Sequence, residues 1–122
     1  MAKGARSYQA AKTTVSKPAD LLAFHLKAAK IPFVRELRFC PERRWRLDFL
    51  IADKIACEVD GGVWTGGRHT RGRGFTSDCE KLNQATLMGY QVLRFTSNHV
   101  HSGYALQTIE AALNATASSA RR

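Results

Sequence analysis

Apolar residues recur at two periods along this chain of 122 residues, and the switches between them mark its elements. Leu21, Leu22, Phe24, His25, Ala28 and Ala29 recur at helical spacing between Pro18 and Pro32, which predicts a first helix. Alternation then predicts three strands, Val34 to Cys40, Trp45 to Ile51 and Lys54 to Asp60, separated by Pro41-Glu42 and by an Ala52-Asp53 turn. Gly61, Gly62, Gly66, Gly67, Gly72 and Gly74 mark a long loop, too glycine-rich for regular structure. A helix is expected from about Phe75 to Met88 with Gly89 at its C-cap, then a fourth strand from Tyr90 to Phe95. A final helix carries one apolar stripe of Ala105, Leu106, Ile109, Ala112 and Leu113. The order is helix, three strands, helix, strand, helix, which predicts an α/β sandwich around a mixed sheet.

The same pattern divides the chain. Residues 1–17 carry Lys3, Arg6, Lys12 and Lys17 without an acid and read as a flexible basic arm or an untidy terminus. Residues 18–116 make a single domain, and 117–122 a frayed tail. The length allows one modest core and one active site.

Strand alternation places Leu47, Phe49, Ile51, Ile55, Cys57 and Val59 on one face, which must look into the core. The other face carries Arg46, Asp48, Leu50, Ala56, Glu58 and Asp60. A turn centred on Asp53 sets Asp48 opposite Glu58. Carboxylates gathered this way repel each other unless a cation neutralises them. An all-oxygen donor set suits magnesium, with manganese able to substitute, and such an ion activates water and stabilises a departing oxyanion in phosphodiester hydrolysis. The competing reading is a solvated sheet face whose acids pair with Arg44, Arg46 or Lys54.

Charge bears on that choice. Nineteen Lys and Arg against ten Asp and Glu give a formal charge of +9, which favours a polyanionic partner. The glycine loop supplies Arg68, His69, Arg71 and Arg73 without one acid, a candidate rim for DNA phosphates. His69 is a candidate general base or acid, or only a polar contact. Trp64 could stack on a base or cover the sheet edge. Asp78 and Lys81 share a helix face, where Lys81 could orient water or simply pair with Asp78. The three cysteines, Cys40, Cys57 and Cys79, form neither a disulfide framework nor a metal motif, and His25, His99 and His101 lack zinc-ligand spacing with them. No run nears the ~18 apolar residues of a membrane span and no secretory signal opens the chain, so a cytoplasmic protein of a bacterial or phage-infected cell is expected.

The runs WRLDFLIADKIACEVDGGVW, GGRHTRGRGF and DCEKLNQATLMGYQVLRF resemble the small very-short-patch-repair-like endonucleases of the PD-(D/E)XK superfamily, many of them encoded in phages and prophages. The resemblance covers about Glu36 to His99. It implies a restriction-endonuclease-like fold of order αβββαβα, with Asp48 and Glu58 as the motif acids. The motif lysine would fall two residues after Glu58, where this chain has Asp60, and Lys81 from the next helix is then the candidate replacement. Asp78 matches an acidic helix position of such relatives. A further acid often comes from the first helix, for which Asp20, or Glu36 on the first strand, is the minor candidate.

Together these readings predict a magnesium-dependent DNA endonuclease with Asp48, Glu58 and Asp60 on the metal, acting on mismatched, nicked or branched duplex. Alternatives left open are a Holliday-junction resolvase acting as a homodimer, a binding module without catalysis, and cleavage of RNA.

Overall fold

A computed structural model describes residues 18–60 and 73–121. The basic arm, most of the glycine loop, and with it Trp64, Arg68, His69 and Arg71, lie outside these residues.

Helix α1 occupies residues 18–28. It buries Leu22, Ala23 and Leu26 but leaves Phe24 66% exposed, so the apolar stripe is narrower than the spacing of Leu21 to Ala29 predicts. It ends in a Schellman motif. Lys30 takes a left-handed φ of 62°, the Ile31 amide donates to the Leu26 carbonyl at 2.9 Å, and the Lys30 amide donates to the Lys27 carbonyl at 3.0 Å.

Strands β1 (Phe33–Leu37), β2 (Leu47–Ile51) and β3 (Ile55–Asp60) form an antiparallel meander. Helix α2 (Arg73–Leu87) then crosses over to β4 (Gln91–Thr96), which pairs parallel to β3. The result is one mixed sheet in the order β1-β2-β3-β4. Gly89, at a φ of 96°, ends α2 in a second Schellman motif, with Tyr90 donating to Ala85 and Gly89 to Thr86, each at 3.0 Å.

Strand β1 stops at Leu37, short of the expected Cys40, and β2 begins at Leu47 rather than Trp45. Glu36 takes a φ of 56°, which breaks the extended run, and the chain beyond turns Phe39 and Cys40 into a core of their own. Trp45 leaves the strand to stack on Phe39, with the two rings 17° from parallel.

Two further helices complete the chain, α3 (Ser97–Ser102) and α4 (Tyr104–Arg121). Residues 118–121, expected as a frayed tail, continue α4, as the alanine-rich run NATASSA permits. Helix α3 is an addition to the predicted order. Thr96 caps it reciprocally: its hydroxyl accepts from the His99 amide at 3.2 Å, and its own amide donates to His99 Nδ1 at 3.1 Å.

Helices cover both faces of the sheet. Leu22 and Leu26 of α1, Val100 of α3, and Ala105 and Ile109 of α4 pack on Phe49, Ile51, Ile55, Cys57 and Phe95. On the opposite face Ala85 of α2 packs with Ala56, Phe39, Cys40 and Leu47. Leu47, although in alternation with Phe49 and Ile51, belongs to this smaller cluster. No helix among the described residues is long and apolar enough to cross a membrane.

Candidate active site

The registered pairs Phe49↔Cys57, Leu50↔Ala56 and Ile51↔Ile55 fix the faces of β2 and β3. One step beyond them lie Asp48 and Glu58, on the face that α2 covers. Here the Asp48 carboxylate itself bridges the strands, its Oδ2 accepting from the Val59 amide at 2.7 Å. The main-chain donor of a strand thereby orients the acid.

Glu58 is held from above. Lys81, on α2, reaches down to donate to Glu58 Oε2 at 2.8 Å and to the Arg46 carbonyl at 3.0 Å. Both side chains of this pair are 14% exposed. Asp48 Oδ1 and Glu58 Oε1 remain without a bond to any described residue. Among the described residues each acid thus keeps one oxygen without a bond.

The electrostatics follow from this crowding. Burial is the largest cause raising the Asp48 pKa; the Val59 amide and Lys81 oppose it, and Glu36 adds to it. Glu58 is pushed up to about 7, again first by burial and then by Asp48, with Lys81 opposing. Burial, Asp48 and Glu58 together push the thiol of Cys57, which precedes Glu58 on β3, up to about 12. Cys57 is therefore an inert packing group.

Asp60 lies one alternate position along β3 and is engaged elsewhere. Its Oδ2 accepts from Arg94 at 2.7 Å, and Arg94 also reaches Asp78 Oδ2 at 3.2 Å. Asp78 is in turn 3.9 Å from Lys81. The charges form an alternating chain, Glu58, Lys81, Asp78, Arg94, Asp60. Partial burial works against the charge on Arg94, but Asp60, Asp78 and Glu58 outweigh it and raise its pKa. Among the described residues no group of three or more His, Cys, Asp or Glu side chains is placed to hold one metal ion together.

The remaining candidates sit further out. Glu36 pairs with Arg46 on the exposed surface and is felt by Asp48 only through its charge. Asp20 is 3.4 Å from Arg35. Arg73 opens α2. Arg94 is not among the residues that the sequence pattern alone singles out. The signal was a cation in the strand run QVLRFT, which parallel pairing sets beside Glu58 as its registered partner.

The two acids come from adjacent strands, beside a half-buried lysine, and each has one oxygen that no described residue bonds. All the donors are oxygen, which fits a hard divalent cation better than a soft one. Such an ion would also offset the mutual repulsion and the burial that raise both pKa values.

No family model matches the chain, and no curated protein matches it. Among solved structures it is similar to the homing endonuclease I-Bth0305I catalytic domain, with a TM-score of 0.59 and 21% sequence identity. The match covers 76% of this chain and 89% of that one. The sheet, its flanking helices and this likeness define an endonuclease-like α/β fold.

Proposed function

We propose that this protein is a metal-dependent DNA endonuclease that hydrolyses phosphodiester bonds. The observation that carries the reading is the pairing of Asp48 and Glu58 beside Lys81, on a fold shared with a homing endonuclease catalytic domain. Asp48 Oδ1 and Glu58 Oε1 would hold magnesium, or manganese in its place. Asp60 would join as a ligand by giving up Arg94. When bound, the ion supplies Lewis-acid stabilisation of charge on phosphate oxygens and acidifies water.

The chain's own residues set the rest. The Val59 amide fixes the Asp48 carboxylate and opposes the rise in its pKa that burial causes. Lys81 fills the role of the lysine missing two residues after Glu58: from its place on Glu58 Oε2, its ammonium orients the attacking water and offsets charge developing on the phosphate. Arg68, Arg71 and Arg73 hold DNA phosphates, His69 assists proton transfer, and Trp64 contacts the duplex. Mismatched, nicked or branched DNA is the favoured substrate, since so short a chain has little surface for reading a long sequence. The assignment to very-short-patch-repair-like enzymes of the PD-(D/E)XK superfamily, with a phage or bacterial cytoplasmic setting, rests on the runs around Asp48, Glu58 and GYQVLRF.

Incubation with supercoiled, linear, branched and RNA substrates, in magnesium and in chelator, tests the reading. Nicking or cutting in magnesium that chelator abolishes, and that Asp48→Asn reduces at least ~100-fold, is the expected result. Equal turnover in chelator would refute the metal mechanism. DNA binding without any cleavage would make the chain a binding module.

A further inference from the structure

The segment between β1 and β2, residues 38–46, contains Arg38, Arg43, Arg44 and Arg46 against the single acid Glu42. It lacks regular structure but is anchored by aromatic packing. Phe39 is 6% exposed within the smaller core, and Trp45 stacks on it. The Arg43 guanidinium lies 3.9 Å from the Trp45 ring centroid, with its own side chain still 48% exposed. A stacked guanidinium keeps its edge N–H groups for planar anions while its face is held by the ring.

The segment also borders the site directly. The Arg46 carbonyl receives Lys81, and Arg43 stands 3.8 Å from Glu80, the residue before Lys81. Arg38 and Arg44 are exposed, and neither is in an ion pair among the described residues. Asp48 and Glu58 repel a phosphate chain, so a substrate strand needs cations close by to settle there.

We propose that residues 38–46 form a phosphate clamp, in which Arg43, Arg44 and Arg38 hold the backbone of a DNA duplex beside the Asp48–Glu58 site. This inference rests on the nuclease reading and adds phosphate contacts from residues other than those of the glycine loop. The clamp acts on backbone and is indifferent to base sequence.

The test is the salt dependence of binding. A fluorescein-labelled blunt duplex is titrated with the full chain by anisotropy, in calcium, across about 50 to 200 mM salt. Arg44→Gln should make the slope of log K against log salt shallower by about one, and Arg43→Gln/Arg44→Gln by about two. Arg44→Lys, which keeps the charge, should keep the slope. Arg44 is exposed, so its variant tests the clamp even if Arg43→Gln loosens Trp45 and the fold with it. Slopes equal to wild type in both Gln variants would overturn the clamp while plasmid cleavage by wild type leaves the nuclease reading standing. Shallower slopes with no cleavage by wild type would keep the clamp and remove the nuclease.

Discussion

Glu58 concentrates the conflict in this structure, being a carboxylate 14% exposed whose charged neighbours are Lys81 and two further acids, Asp48 and Asp78. With the folded pKa near 7 and the ordinary value at 4.5, the sign is fixed. Below the ordinary value both folded and unfolded states are protonated, and Glu58 costs nothing. As pH rises toward 7 the unfolded chain releases the proton first, so stability falls through that window and stays lower above it. The loss is on the order of 3 kcal/mol at most. Denaturant melts in chelator at pH 5 and 8 should show wild type losing stability relative to Glu58→Gln over that interval; parallel pH dependences would contradict it. If the ionised form binds the metal, cleavage should rise with pH around neutrality at low magnesium, and its midpoint should move to lower pH as magnesium is raised.

At the scale of elements, the helix ends carry as much information as the helix faces. Thr96 and His99 cap α3 reciprocally, the role usually filled by Ser or Thr with Glu or Gln. Histidine in the second place hid the motif, and α3 was not expected from the sequence for that reason. Thr96→Ala should cost about 1 kcal/mol by urea melt. An unchanged melt would show that α3 is held by Val100 packing alone. Strands β2 and β3 were legible because apolar alternation and the short turn at Asp53 fix both face and register, and with them Asp48 and Glu58. The bond between Asp60 and Arg94 was not, because it depends on a parallel register made by a crossover helix rather than a turn. The end of β1 was hidden too: nothing in the alternation of Val34 to Cys40 announces the left-handed Glu36 that turns Phe39 inward. Lys81 was singled out only as a helix-face residue and by resemblance; its contact with Glu58 comes from α2 packing Ala85 onto Ala56.

Across the whole molecule, one face of the sheet is given to stability and the other to charge. Helices α1, α3 and α4 bury the larger core, while α2 covers a smaller one and leaves Asp48, Glu58 and Lys81 together at its edge. The whole chain carries a formal net charge of +9, which favours a polyanionic partner. Whether Asp48 and Glu58 jointly hold a divalent ion is tested most directly by calorimetric titration of manganese into the DNA-free chain. At neutral pH wild type should take up ion at a site that Asp48→Asn and Glu58→Gln each abolish, with proton release on binding to wild type. Unchanged manganese affinity in both variants would contradict joint binding.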